Sequence, residues 1–68
     1  MLLGIAIKFG KNVRKLRLGQ KISQGKLAKK LGVDPSYISQ IERGIGNPSL
    51  RVVERIAKAL DISIKDLL

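Results

Sequence analysis

Small polar side chains recur along residues 35–43 at positions that share one side of a helix. If Ile38 and Ile41 face inward, the helical repeat places Ser36, Ser39 and Gln40 on the opposite side. Hydroxyl and amide groups donate and accept hydrogen bonds, and an amide such as that of Gln40 pairs bidentately with adenine. We therefore predict that Ser36, Ser39 and Gln40 contact base edges in DNA, with Gln40 as the main base-reading residue.

Tyr37 lies between these polar positions and has two roles open to it. Its ring could contact a thymine methyl group, with the hydroxyl on a phosphate, or the side chain could pack on the preceding helix. We include Tyr37 among the candidate base-reading residues and keep the packing alternative open.

The segment before residue 35 has the pattern of a second short helix followed by a tight turn. Ser23 is suited to cap a helix that begins near Gln24, and Gly32 is suited to end it in the left-handed conformation. Asp34 followed by Pro35 then predicts the start of the next helix, which runs to about Arg43. Two helices joined in this way form a helix-turn-helix, which presents its second helix to the major groove.

Close crossing of these two helices requires small and apolar residues at particular positions. A small residue belongs at the helix contact, a flexible one at the turn, and apolar ones on the second helix facing back. Five positions meet these needs jointly, and we assign four of them a structural role: Ala28, Gly32, Ile38 and Ile41, with Val33 filling the turn.

Apolar residues at helical spacing predict three further helices. The first runs from about Lys8 to Gln20, and the fourth ends near Leu60 after a cap at either Asn47 or Ser49. Ser63 and Asp66 have the spacing of a capping box for a short fifth helix. We divide the chain into residues 1–7, an apolar N-terminal arm, and residues 8–68, one all-α domain. The arm could pack on the domain or meet a second subunit as a short strand or arm.

The chain has 68 residues, 14 Lys and Arg against five Asp and Glu, and a formal net charge of +9. This excess favours a polyanion as the partner, nucleic acid before an anionic membrane. Cys and His are both absent, which excludes thiolate and imidazole chemistry and the usual zinc sites. The five carboxylates show no paired or metal-ligand spacing, so we expect no enzyme, no metal and no cofactor.

With these features, the chain resembles the lambda-repressor-like, Cro/C1-type helix-turn-helix family, also called the XRE family. The resemblance covers about residues 8–68 and is carried by Ser23-Gln24, Leu27-Ala28, Leu31-Gly32-Val33, the run Tyr37 to Gly44, Asn47-Pro48-Ser49-Leu50 and Ile56 to Leu60. It implies a five-helix DNA-binding domain that acts as a transcriptional regulator, commonly a repressor, and binds a pseudo-palindromic operator as a homodimer.

The same resemblance implies roles for individual residues. Gln24 would contact a phosphate at the start of helix 2, where free N–H groups favour anions. Arg43 and Asn47 would approach the sugar-phosphate chain after helix 3, although Arg43 also suits a helix C-terminus. Glu42 would pair with Arg17 on helix 1 in a structural contact, away from DNA.

Lys26 departs from the family pattern, because acidic residues are common in the first turn of helix 2. We predict that Lys26 binds phosphate instead and makes DNA binding more sensitive to salt.

Dimerisation requires an apolar patch, and the C-terminal end offers a candidate set: Ile62, Ile64, Leu67 and Leu68. Burial within one subunit would explain the same residues. The main functional alternative is an antitoxin or phage-type accessory protein that binds DNA but has another protein as its chief partner. Non-specific nucleic-acid binding fits the charge but not the polar face of helix 3. Either DNA-binding role implies the cytoplasm and association with the nucleoid, and no membrane contact.

Overall fold

The computed structural model describes the backbone of residues 2–68 and the side chains of residues 4–68. Four α-helices follow one another and precede a single 3-10 turn: α1 (Leu2–Gly19), α2 (Gln24–Leu31), α3 (Pro35–Glu42), α4 (Leu50–Leu60) and the turn at Ile64–Asp66. No strand occurs within residues 2–68. The expected all-α class is therefore confirmed.

The expected fifth helix is a 3-10 turn and not an α-helix. The Asp66 carboxylate makes its part of the capping box, because it accepts a hydrogen bond from the Ser63 backbone N–H, and it also accepts one from the Ser63 hydroxyl. The backbone bonds that follow join residues three apart, from Asp66 to Ser63 and from Leu67 to Ile64. This spacing closes a 3-10 turn, whereas an α-helix needs bonds between residues four apart.

Helix α1 begins at Leu2, so the predicted start at Lys8 was wrong. Residues 2–7 continue the helix and do not form a separate arm, while Met1 lies outside the described residues. The reason is packing, because Ala6 is buried one turn before Phe9 and extends the apolar face of the helix. Ile7 lies against Gly44, where a Cβ would come within 2.8 Å of the Ile7 Cγ1.

All four helices contribute to one hydrophobic core. Its members are Phe9, Val13, Leu27, Ala28, Leu31, Ile38, Ile41, Val53, Ile56, Ala57, Leu60 and Leu67. Helix α3 packs against both α1 and α2, and α4 packs against α2. Helix α3 is thus supported along its inner side by the two helices before it.

Side-chain caps set the helix starts largely as predicted. The Ser23 hydroxyl accepts a hydrogen bond from the Lys26 N–H at 3.0 Å, and Asp34 Oδ1 accepts one from the Ser36 N–H at 2.8 Å. Ser49, and not Asn47, caps α4 by accepting from the Val52 N–H. Gly32 ends α2 with φ of +70°, a conformation that glycine adopts without strain.

Candidate nucleic-acid interface

The geometry of the helix pair α2–α3 comes from a three-residue turn, residues 32–34. Helix α2 ends when the Gly32 and Val33 N–H groups bond back to carbonyls of the last turn. Ala28 is buried where α2 meets α3, and Ile38 and Ile41 are buried on the inner side of α3. The three apolar residues expected to hold the two helices together therefore lie in the core, and Gly32 lies at the exposed turn.

The outer side of α3 carries the predicted base-reading residues. Ser36 and Gln40 are exposed, whereas Ser39 is half-buried. One exposed hydroxyl and one exposed amide thus lie one turn apart on a helix whose inner side is fixed by Ile38 and Ile41. This is the surface that a major-groove helix must offer, since base edges are recognised by hydrogen bonds from such groups.

Tyr37 is half-buried and packs against the hydrophobic core. With Val33, Val52 and Arg55 it lines an open, mostly apolar cavity of about 300 Å³ between α3 and α4. The packing role is present in the structure, and contact between Tyr37 and DNA stays a prediction.

The predicted phosphate-binding residues lie in two segments, the start of α2 and the segment that follows α3. Lys26 is exposed in the first turn of α2, and Arg43 and Asn47 are exposed in the segment that follows α3. Arg43 is the C-cap of α3, which ends at Glu42, one residue earlier than predicted. Gln24 is half-buried, and its Nε2 donates a hydrogen bond to Glu42 Oε1 at 3.0 Å.

The expected pair of Arg17 and Glu42 joins α1 to α3 through two hydrogen bonds. Arg17 Nε donates to Glu42 Oε2 at 2.6 Å, and Arg17 Nη2 donates to Glu42 Oε1 at 3.0 Å. Both residues are buried, at 5% and 7% exposure. Arg17 Nη1 also donates to the Ile22 carbonyl, so the guanidinium also binds the segment that leads into α2.

Charge at this pair is stabilised on both sides. Burial alone would raise the pKa of Glu42, but hydrogen bonds from Arg17 and Gln24 and the nearby guanidinium charges outweigh it and lower that pKa. The hydrogen bond to Glu42 raises the pKa of Arg17. The buried pair of Arg17 and Glu42 is therefore fully charged at neutral pH.

At the start of α3, the hydrogen bond from the Ser36 N–H lowers the pKa of the Asp34 carboxyl.

The four candidate dimer residues differ in how deeply the structure buries them. Leu67 is fully buried in the core of its own chain and cannot serve a dimer interface, which corrects that assignment. Ile62 and Ile64 are half-buried against the same core. Leu68 is 52% exposed and shares an apolar cleft with Ile5 and Phe9 of α1. Leu67 packs within its own chain, and not against a second subunit, because the turn at residues 64–66 directs it inward.

Several positioning contacts were missed by sequence reasoning. Asn12 Nδ2 donates to the Leu67 carbonyl at 2.8 Å, and Gln20 Nε2 donates to the Leu60 carbonyl at 2.5 Å. Lys30 donates to the Ala59 carbonyl and Arg55 to the Leu31 carbonyl, so α2 and α4 each cap the other's C-terminal end. Surface Asn, Gln, Lys and Arg are too common for sequence alone to reveal such long-range partners.

Arg14 is a further residue that sequence reasoning did not assign. Its Nη1 lies 3.9 Å from Glu42 Oε1, and its side chain is 60% exposed. It precedes Arg17 by one helical turn, and that spacing is the only sequence feature that could have indicated it.

None of the helices formed by residues 2–68 has the length and apolar character needed to cross a bilayer. Within the part of the chain that the structure describes, no group of three or more acidic side chains is placed to hold a metal ion.

Comparison with known proteins places the chain among regulators. Residues 13–67 match the helix-turn-helix family. The chain is 48% identical over 65 residues to control protein C.BamHI of Bacillus amyloliquefaciens, an alignment that covers 94% of this chain and 80% of that protein. It is 38% identical over 60 residues to the transcriptional regulator SinR of Bacillus subtilis, which covers 87% of this chain and 54% of SinR.

Among solved structures, the restriction-modification controller protein C.AhdI from Aeromonas hydrophila superposes with a TM-score of 0.88 at 41% identity. This superposition covers 93% of the present chain and 96% of C.AhdI. Family and relatives alike are transcription regulators and not enzymes. The chain therefore belongs to the Cro/C1-type helix-turn-helix family of DNA-binding transcription regulators.

Proposed function

We propose that the protein is a sequence-specific regulator that inserts α3 into the major groove of double-stranded DNA and represses transcription. The observation that carries this proposal is the two-sided character of α3. Ile38 and Ile41 anchor its inner side in the core, while Ser36 and Gln40 are exposed on the outer side. In this proposal Gln40 is the main base-reading residue, and Ser36, Ser39 and Tyr37 add contacts.

Phosphate contacts would set the position of α3 on the duplex. Gln24 and Lys26 lie at the start of α2 and Arg43 and Asn47 lie after α3, and the hydrogen bond from Gln24 to Glu42 places the start of α2 beside the C-terminal end of α3. Phosphate contacts from these two segments fix the register of α3 on the duplex but carry no sequence information themselves. The formal charge of +9 supports phosphate binding, since it favours association with a polyanion.

We further propose a homodimer on a pseudo-palindromic operator. Two copies would place their α3 helices in successive major grooves, about 34 Å apart along the duplex. The exposed apolar residues Ile5 and Leu68 form the surface we assign to this contact, and the half-buried Ile62 and Ile64 are further candidates. Leu67 has no part in it because it is buried.

The relatives suggest which genes such a protein regulates. C.BamHI is named a control protein, and C.AhdI is named a restriction-modification controller. We propose the same role here, namely control of a restriction-modification gene pair by binding to operator DNA in the cytoplasm. The antitoxin alternative has no comparable support, because no relative named above is an antitoxin.

Selection from a randomised duplex library tests the proposal directly. The purified chain is bound at about physiological salt, and the retained duplexes are sequenced. Enrichment of two symmetric half-sites one helical turn apart is the expected result. Retention without enrichment would replace the proposal by non-specific electrostatic binding, and no retention would redirect attention to a protein partner.

The dimer surface can be tested separately by sedimentation. Leu68→Asp should convert the dimer to a monomer, because it places a charge in an apolar contact. Leu18→Asp is the matched control, since Leu18 on α1 is 51% exposed and Leu68 is 52% exposed. Equal behaviour of the two variants would remove Leu68 from the interface.

A further inference from the structure

Arg14 and Gln24 converge on one carboxylate oxygen from two different helices. Arg14 Nη1 approaches Glu42 Oε1 to 3.9 Å from α1, and Gln24 Nε2 donates to the same oxygen at 3.0 Å from the start of α2. Glu42 belongs to α3. The three residues therefore bring α1 and the start of α2 together at the C-terminal end of α3.

Arg14 faces Glu42 without a hydrogen bond to it. Glu42 already receives two hydrogen bonds from Arg17, whereas 3.9 Å from Arg14 is beyond hydrogen-bonding distance. Two guanidinium groups face a single carboxylate, which leaves a net positive charge at the surface. That charge resides on Arg14, because the Arg17 side chain is 7% exposed and the Arg14 side chain is 60% exposed.

Donor groups at this position also remain free. An amide nitrogen carries two protons, and Gln24 Nε2 uses one of them on Glu42. The guanidinium of Arg14 offers several N–H donors in a planar fork that matches two phosphate oxygens. The Glu42 side chain is only 2% exposed, so its own charge is shielded from an anion that approaches from solvent.

We propose that Arg14 binds a DNA backbone phosphate, and that Gln24 donates to the same phosphate. This inference rests on the proposed DNA-binding function and adds α1 to the surface that contacts the duplex. The contact carries no base preference, so its removal weakens binding to every sequence alike.

The salt dependence of binding provides the first test. Each phosphate neutralised by the protein contributes about −0.9 to the slope of log affinity against log salt concentration. Arg14→Gln should make that slope shallower by about this amount on the selected duplex. Lys15→Gln is the matched control, because Lys15 is the next residue on α1, is exposed and carries the same charge. Arg14→Lys should retain the slope, since it retains the charge.

Neutral methylphosphonate groups, placed one at a time along the selected duplex, identify the phosphate itself. The wild-type chain should lose affinity at one position where Arg14→Gln shows little further loss. Gln24→Ala, which retains Arg14, should show a smaller loss than the wild type at that same position, whereas Lys15→Gln should follow the wild type. The thermal midpoints of all variants show that each is folded.

Equal slopes for Arg14→Gln and Lys15→Gln would overturn the proposal, as would unchanged sensitivity to every methylphosphonate position. A wild-type chain that selects no sequence would instead overturn the proposed function. The slope comparison on an arbitrary duplex would then still decide whether Arg14 binds phosphate, so the two failures are distinguishable.

Discussion

Gly10 on α1 lies against the carbonyl oxygen of Ile41 on α3, so close that a Cβ at Gly10 would overlap that oxygen. The same Cβ would come within 3.0 Å of the Glu42 carbonyl oxygen. Both neighbours are backbone atoms of the proposed recognition helix, which cannot move aside as a flexible side chain can. Gly10 thus sets the distance between the first helix and the one that carries Gln40.

Substitution of this glycine should therefore destabilise the domain. Gly10→Ala should lower the free energy of unfolding by about 1–3 kcal/mol, the usual cost of overpacking. Gly19→Ala is the control, because a Cβ at Gly19 would meet no neighbouring atom within 4 Å. Alanine there should raise stability by up to about 1 kcal/mol through helix propensity. Chemical denaturation of both variants measures the difference, and a neutral Gly10→Ala would contradict the close approach.

Loss of the buried guanidinium should affect stability far more than sequence choice. Arg17→Ala leaves Glu42 buried and without its main partner, which should cost about 3–5 kcal/mol. The thermal midpoint should fall sharply, while library selection at low temperature should return the wild-type half-site. A changed half-site with an unchanged midpoint would show that Arg17 acts on DNA and is not structural.

Acid should weaken the domain through Glu42. Its folded-state pKa lies below the ordinary value of 4.5, so its ion pair stabilises the fold fully above that value. The stabilisation is lost as the pH falls below 4.5 and through the lower folded pKa. Thermal midpoints measured from neutral pH down to strongly acidic pH should therefore decline in this window.

Glu42→Gln tests the origin of that decline. The variant should have a lower midpoint at neutral pH and a flatter profile in the acid range, apart from the contribution of carboxyls such as Asp34. A profile as steep as that of the wild type would assign the acid sensitivity to other groups.

Gln40 should determine base preference. Gln40→Ala should reduce discrimination at one position of each half-site by about 1–3 kcal/mol, the value of a good bidentate contact. The slope of affinity against salt should stay the same, because no charge is lost. Competition binding with single-base variants of the selected duplex makes this measurement, and loss of discrimination at no position would remove Gln40 from the reading surface.

Lys26 should determine salt sensitivity and not base preference. Lys26→Glu should make the salt slope shallower by at least about 0.9, because a phosphate contact is lost and a repulsive charge takes its place. Lys65→Glu is the control, since Lys65 is also exposed but lies in the 3-10 turn outside the helix pair α2–α3. If the two variants have equal slopes, Lys26 makes no phosphate contact.

Local patterns in the sequence determined where helices α2 and α3 begin, where α2 ends and which side of α3 faces the core. Caps at Ser23 and Asp34, the left-handed end at Gly32 and the inward spacing of Ile38 and Ile41 are properties of a few neighbouring residues. They require no knowledge of the rest of the chain, and each is present in the structure. Family resemblance added the pairing of Arg17 with Glu42, which spacing alone could not supply.

Tertiary packing decided what local patterns left open. Residues 2–7 continue helix α1 because Ala6 is buried and Ile7 lies against Gly44. Leu67 is buried because the 3-10 turn before it directs it into the core. The closeness of Gly10 to Ile41 and of Arg14 to Glu42 joins residues far apart in the chain. Such contacts depend on how whole helices cross, and helical periodicity specifies only which side of a helix faces inward, not which residue it meets.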